Sequence, residues 1–171
     1  CARQDSYVIT FGGDIMLARD GAPIVKNWQA IDLSLPDEVI TSGKNEFYAA
    51  ALESPLTRSA LSPADLANPE MNLCAAAQET SILTQAGLNI VTFDNNHKSD
   101  CSANGIILTQ QLLAEAGFLL FEERNGIWVS TNSESNLAII SMEDVSSPVN
   151  EKAVVDVIRD FKTSGHFVVV S

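Results

Sequence analysis

Short apolar segments of strand type alternate with helical segments along most of this chain. Residues 7–11 are rich in β-forming side chains and are predicted as a buried strand that ends at a tight turn containing Asp14. Residues 47–52 form a weaker strand candidate that their alanines also allow as a helix, and residues 88–93 form a short apolar strand. Strands separated by helices form βαβ units, so the pattern predicts an α/β fold with a largely parallel sheet.

The remaining segments continue this alternation. Residues 69–87 are predicted as a helix with Pro69 in its first turn and Gly87 as its stop. Two more helices are expected at residues 105–116 and 153–162, and the latter has amphipathic i, i+3, i+4, i+7 spacing. Further strands are predicted at residues 118–121, at a hairpin-like pair (126–129 and 136–141), and at a buried final strand (167–171).

Composition limits the classes of partner. The 171 residues carry 10 basic and 22 acidic side chains, a formal net charge of −12, and 46% of them are hydrophobic. A chain of this length and composition is predicted to form one globular domain at residues 7–171, after a polar tether at residues 1–6. Its negative charge repels phosphate backbones and anionic membrane surfaces, so nucleic acid is not an expected partner.

The chain begins at Cys1, followed by a short polar stretch. This start resembles a mature bacterial lipoprotein, in which the first cysteine carries the lipid. The expectation is an exported protein of the cell envelope, anchored to the outer face of the membrane only through a lipid on Cys1. The alternative is that Cys1 is simply where the given chain starts.

The chain has two further cysteines, Cys74 and Cys101, which the predicted fold allows to lie near the end that would carry a site. Export would place them in a compartment where a disulfide persists. Spacing alone does not establish pairing geometry, so they are either a disulfide or two separate thiols.

Polar side chains follow three of the predicted strands. Asp14 follows the first, Glu53 the second, and Asn96, His97 and Asp100 the third. Ligands of open α/β folds collect at the carboxyl ends of strands, and carboxylate, amide and imidazole groups there suit a divalent metal. Each residue also has a simpler explanation, because Asp and Asn cap helices and turns and the others fit solvated loops.

Three segments, taken in order, resemble one family. "ITFGGDIMLARDG" is similar to a "GDxMLGR" opening, "LESPLT" to an "NLExPLT" element, and "QAGLNIVTFDNNHKSD" with the later Gly105 to an "aGfdvvslANNHxxDxGxxG" element. These elements are typical of bacterial capsule-synthesis, poly-γ-glutamate synthesis (CapA-type) proteins, which are relatives of the calcineurin-like metallophosphoesterases. The NNHxxD element is the most specific of the three.

The resemblance implies a metallophosphoesterase-like four-layer α/β/β/α sandwich, of which this chain would be the N-terminal half. It also implies a site for two divalent metal ions of unknown identity. By position, Asp14, Glu53 and Asn96 would be metal ligands. His97 would be the acid that protonates a leaving group, Asp100 would orient it, and Arg19 would bind an anionic substrate group.

The chain also departs from the family pattern. Ala51 stands where the family has the asparagine of "NLE", and Ala18 replaces the glycine of "MLGR". Cys101-Ser102 follows Asp100 in place of the usual Tyr-Gly. The later histidine-rich elements that would supply the other metal ligands are absent, so the resemblance implies continuation of the domain beyond Ser171.

Two functions are therefore expected. The first is a metal-assisted, hydrolase-like protein that acts on or handles a cell-envelope polymer. The second is a catalytically inactive lipoprotein that serves as an accessory or structural subunit and meets a membrane-associated protein partner. An unpaired apolar edge strand would favour such a partner, because uncovered edges promote aggregation.

Overall fold

A computed structural model describes residues 7–18, 46–58, 72–101, 104–119, 121–132, 134–146 and 148–171. Within these ranges the protein is α/β. The first sheet is parallel and has the order β1-β2-β5, formed by β1 (Val8–Ile15), β2 (Glu46–Leu52) and β5 (Ile90–Thr92). Residues 47–52 are thus a strand rather than a helix, since β2 is hydrogen-bonded on both sides.

The second sheet has four strands in the order β6-β7-β8-β9. They are β6 (Phe121–Arg124), β7 (Ile127–Asn132), β8 (Leu137–Ser141) and β9 (Phe167–Val170). The predicted hairpin is confirmed, because β7 and β8 are antiparallel neighbours. A short parallel pair, β3 (Leu56–Thr57) and β4 (Ala75–Ala76), lies apart from both sheets.

Among the described residues, three α-helices connect these strands. They are α1 (Thr80–Gln85), which a 3₁₀ turn at Ala77–Glu79 precedes, α2 (Gly105–Glu115) and α3 (Glu151–Thr163). The Asn150 side chain caps α3 by accepting a hydrogen bond from the Ala153 amide. The predicted stop at Gly87 and the one after α2 at Gly117 both have positive φ, at 75° and 88°, which glycine adopts without a Cβ clash.

Three apolar clusters hold these elements together. One packs α1 and α2 against β2 and β5, with Phe93 fully buried among them. A second joins inward side chains of the two sheets, including Phe47 of β2 and Ile139 of β8. A third packs α3 against β7 and β8. Neighbouring residues of β8 alternate between the second and third clusters, as the period of two in a strand requires.

The prediction for the first strand was wrong in its end and its burial. The strand continues through Gly12 and Gly13 to Ile15, so Asp14 lies in the strand and is paired in register with Ala51. An irregularity in register between Phe11 and Asp14 accommodates the two glycines. Among the described strands it lies at the edge of its sheet, and it is mostly exposed rather than buried.

The predicted helix over residues 69–87 was too long at its start. Pro69 and Glu70 lie outside the described residues, and an extended segment precedes the 3₁₀ turn. Contacts distant in sequence hold that segment extended: the Ala75 amide donates to the Pro55 carbonyl oxygen at 2.8 Å, and β4 pairs with β3. Helix propensity gave way to tertiary contacts.

Two more predictions need correction. The strand expected at residues 118–121 begins only at Phe121, because the Phe118 amide closes the end of α2 on the Leu113 carbonyl oxygen. Strand β9 forms as predicted but lies at the edge of its sheet among the described strands, with Phe167 49% and Val170 45% exposed. Its sheet is also mostly antiparallel, so of the two larger sheets only the first meets the expectation of parallel strands.

Candidate active site

The carboxyl ends of β1, β2 and β5 lie at one edge of the parallel sheet. Asp14 is near the end of β1, Glu53 directly follows β2, and Asn96 and His97 lie in the turn after β5. The Glu53 amide donates to the Ile15 carbonyl oxygen at 2.9 Å, which holds the β1 and β2 ends together. We call Asp14, Glu53, Asn96, His97 and Asp100 the strand-end site.

Electrostatic coupling shows which of these groups are neighbours. Burial is the main cause that raises the pKa of Glu53, and the negative charge of Asp14 raises it further. The charge of His97 acts in the opposite direction and lowers the pKa of Glu53. The charges of Asp14 and His97 therefore both act on the Glu53 carboxyl group, so side chains from all three strand ends share one electrostatic environment.

The turn after β5 is braced by Asn95, whose side chain is buried. Its Nδ2 donates to the Leu52 carbonyl oxygen at 2.7 Å, and its Oδ1 accepts from the His97 amide at 2.9 Å. The side chain thus connects the end of β2 to the histidine-bearing turn. Asn96, the next residue, is exposed.

His97 and Asp100 form a pair on this turn. The His97 Nδ1 lies 2.9 Å from Oδ2 of Asp100, and the same oxygen accepts the Leu73 amide at 2.7 Å. Because a carboxylate can only accept, Nδ1 carries the hydrogen, and Nε2 is the ring nitrogen left for another partner. Both side chains are largely buried, at 21% and 15% exposure.

Cys74 and Cys101 are joined by a disulfide in this structure, with their Cα atoms 5.1 Å apart. Each cysteine is next in sequence to a residue of the Leu73–Asp100 hydrogen bond. The Cys101 Sγ also lies 3.2 Å from the Pro55 carbonyl oxygen, in the loop that follows Glu53. The disulfide therefore lies directly behind the strand-end site.

A cavity of about 320 Å³ opens at the same edge, between the ends of the two sheets. Its lining includes Asp14, Ala51 and Thr92 from the first sheet and Val170 and Ser171 from the second. Ala51 contributes only a methyl group to this lining. The carboxyl end of β9 thus reaches the same space as Asp14.

The donor types at this edge suit a hard divalent cation. Asp14 and Glu53 offer carboxylate oxygens and Asn96 an amide oxygen, and a cation would relieve the repulsion that raises the pKa of Glu53. In the part of the chain that the structure describes, however, no three His, Cys, Asp or Glu side chains form a group able to hold a metal ion. The residues fit part of one cation's coordination, not a complete two-metal site.

Two predicted residues are outside the described ranges. These are Arg19, expected to face an anionic group, and Cys1, expected to carry a lipid. No helix in the described part of the chain combines the length and apolarity needed to cross a membrane.

The sequence did not single out several residues that shape this edge. The Ser54 Oγ, fully buried, accepts from the Leu17 amide at 2.9 Å, and Thr109 Oγ1 accepts from the Leu56 amide at 2.8 Å. Lys98 pairs with Asp94 and lies 4.0 Å from Glu143, at a second cavity of about 230 Å³. For Ser54 and Thr109, the sequence showed only a hydroxyl side chain next to a predicted strand or inside a predicted helix. Many surface residues share that feature.

Comparison with known proteins identifies the family. A search of the curated proteins finds no match. The family model described as "Bacterial capsule synthesis protein PGA_cap" matches residues 8–171, nearly the whole chain. This agrees with the three sequence elements that contain Asp14, Glu53 and the NNHxxD turn. The chain belongs to the bacterial capsule synthesis protein (PGA_cap) family.

Proposed function

We propose that this protein is an exported, hydrolase-like member of its family that acts on a cell-envelope polymer with the help of a divalent cation. In this proposal its sheets and helices form a four-layer α/β/β/α sandwich, with the strand-end site in the crevice between the sheets. The observation that carries the proposal is the shared electrostatic environment of Asp14, Glu53 and His97. Titratable groups coupled in a cleft are frequent at catalytic sites.

His97 has the role of proton donor in this proposal. Its Nδ1 is engaged by Asp100, so Nε2 is the atom that would deliver a proton to the leaving oxygen or nitrogen. The Asp100 carboxylate holds the ring in one orientation. Because the Leu73 amide also donates to Asp100, the carboxylate itself is held in place.

Asp14, Glu53 and Asn96 would hold the cation. A bound divalent cation would supply Lewis acidity and a more acidic water, which is the chemistry that hydrolysis of a stable ester or amide needs. Further ligands would be needed to complete the coordination, and the cavity that Asp14 lines together with Val170 and Ser171 leaves room for them. Arg19 would bind an anionic group of the polymer.

Export and anchoring complete the proposal. A lipid on Cys1 would attach the protein to the outer face of the membrane, and the polymer or a membrane-associated protein would be its partner. The net charge of −12 favours neither nucleic acid nor direct contact with an anionic bilayer.

A second function has its own support. In the lining of the cavity beside Asp14, Ala51 offers a methyl group where the family resemblance implies an asparagine amide. In the described ranges, no three acidic, cysteine or histidine side chains form a group that could hold a metal ion. A lipoprotein that retained the fold without catalysis would then act as an accessory subunit of an envelope assembly. The half-exposed edge strand β9 would be a place for a partner to pair.

One experiment separates the two functions. The protein is purified from its native source, and its intact mass and metal content are measured on the same sample. The hydrolase-like function predicts a mass above 18.4 kDa by tens of residues together with bound divalent metal. A mass equal to these residues plus a lipid, with no metal at neutral pH, would establish the accessory function instead.

A further inference from the structure

We propose that the Cys74–Cys101 disulfide is a positioning device for the Asp100 carboxylate and, through it, for the His97 ring. The inference deepens the proposed function and rests on it only for the role of His97 as a proton donor. The geometric part concerns how the ring is held, and it can be measured without substrate or metal.

The two cysteines flank a single acceptor atom. Asp100 Oδ2 accepts the Leu73 amide at 2.7 Å and faces His97 Nδ1 at 2.9 Å. Leu73 precedes Cys74 and Asp100 precedes Cys101, so the disulfide joins the two segments one residue beyond this contact. A covalent bond at that place limits how far the Leu73 amide can move from the carboxylate.

The regular backbone pairing nearest to Leu73 among the described residues is short. The strand that follows, β4, is two residues long and pairs with an equally short β3. Backbone hydrogen bonds at such short pairs open easily, because little buried ladder stabilises them. The disulfide therefore supplies the durable link between this segment and the turn after β5.

The residues around the disulfide leave room for it and pack against it. A Cβ on Gly105 would lie 2.8 Å from the Cys101 Cβ, so the first residue of α2 leaves room for Cys101 only by lacking a side chain. The Pro55 carbonyl oxygen contacts Cys101 Sγ and accepts the Ala75 amide at 2.8 Å. The loop after Glu53 thus packs against the same bond.

A purely stabilising disulfide would strengthen the fold without affecting the ring of His97. The test therefore needs a signal from that ring. The chain has two histidines, His97 and His166, and only His97 faces Asp100. His166 has a different ring contact, with Phe161, and serves as an internal reference in the same spectrum.

The experiment compares nitrogen-15 NMR spectra of the histidine rings in the parent protein and in Cys74→Ala/Cys101→Ala. We expect the hydrogen on His97 Nδ1 to exchange with solvent at least about tenfold faster in the double variant than in the parent. The nitrogen shifts of the His97 ring should also move toward the values measured in a reference variant, Asp100→Asn. The His166 signals should stay unchanged. Parent-like His97 shifts and exchange in the folded double variant would overturn the proposal.

A matched control removes a comparable anchor elsewhere. Asn89 bridges the amino ends of β2 and β5 by accepting from the Tyr48 amide and donating to the Glu46 carbonyl oxygen. Asn89→Ala should lower stability and leave His97 exchange as in the parent. Equal acceleration of His97 exchange in Asn89→Ala would mean that general loosening, not the disulfide, controls the ring, and would also overturn the proposal.

If the double variant does not fold, the parent protein is treated with a water-soluble phosphine under native conditions. Formation of two thiols is followed by thiol titration while the same His97 signals are recorded. Unchanged His97 exchange after complete reduction overturns the proposal, and faster exchange with retained His166 shifts supports it. Because no substrate is used, failure of the proposed catalytic function would leave this result intact, and the reverse also holds.

Discussion

Asp100 Oδ2 lies between two donors, the Nδ1 of His97 at 2.9 Å and the backbone amide of Leu73 at 2.7 Å. A carboxylate held from two sides has less freedom to rotate than one in a simple surface pair. The imidazole is therefore held with Nε2 away from Asp100. A proton donor needs such an orientation, because proton transfer requires hydrogen-bond reach to the leaving atom.

Replacement of His97 tests its role as an acid. In the protein with its metal, His97→Asn should lower the hydrolysis rate of a phosphodiester with a poor, alkoxide-type leaving group by roughly 10² to 10⁴. A substrate with a nitrophenolate leaving group needs no proton and should lose far less. Steady-state kinetics on the two substrates measures this difference, and equal losses on both would contradict a proton-donor role.

Loss of the disulfide should weaken the whole fold. The two cysteines are 27 residues apart, and opening a loop of that length in the unfolded chain corresponds to roughly 3 to 4 kcal/mol of unfolding free energy. Urea denaturation of Cys74→Ala/Cys101→Ala against the parent measures it. A loss below about 1 kcal/mol would show that the bond constrains the unfolded chain little.

Position 105 needs glycine because a side chain would not fit there, not because of its backbone conformation. A Cβ at this position would meet the Cys101 Cβ at 2.8 Å, so Gly105→Ala should cost roughly 1 to 3 kcal/mol of unfolding free energy. Gly13→Ala is the matched control, because its Cβ would meet nothing within 4 Å. Equal stabilities of the two variants in urea denaturation would show that the Cys101 backbone moves freely.

Glu53 should make the stability of the metal-free protein depend on pH. Burial and the charge of Asp14 raise the pKa of Glu53, so the folded state holds this proton more tightly than the unfolded state. Its contribution is therefore most favourable below the ordinary pKa of a glutamate and is lost as pH rises through the raised folded pKa. Glu53→Gln should remove that loss.

The measurement is urea denaturation at about pH 4 and about pH 7, with the exposed Glu134→Gln as a charge-matched control. We expect Glu53→Gln to be more stable than the parent at the higher pH, with the advantage shrinking at the lower pH. An advantage that is independent of pH, or one that Glu134→Gln shares, would show that the ionised Glu53 carboxylate is not destabilising.

Local patterns predicted some elements well and failed where distant contacts decide the backbone. The amphipathic spacing of Val154, Val157 and Phe161 identified α3, because burial of one helix face is a local property. The segment before α1 was predicted as helix, yet its extended form depends on Pro55 and on the bond to Cys101. Neither contact is visible in the order of side chains.

The sequence predicted where the candidate site lies, but not which side chain holds its turn in place. Parallel strands end at one edge, so Asp14, Glu53 and His97 were expected near each other, and the coupling at Glu53 agrees with that. Which of two adjacent asparagines is buried depends on the turn geometry. Asn95 proves to be the brace, with Asn96 exposed.

The most direct measurement of the central claim is a calorimetric titration of Mn²⁺ into the protein from its native source. Asp14 and Glu53, coupled through the raised pKa of Glu53, are the carboxylates that would bind the cation. The account predicts binding by the parent and at least about tenfold weaker binding by Asp14→Asn/Glu53→Gln, with Glu134→Gln unchanged. No binding by the parent, or equal binding by the double variant, would contradict it.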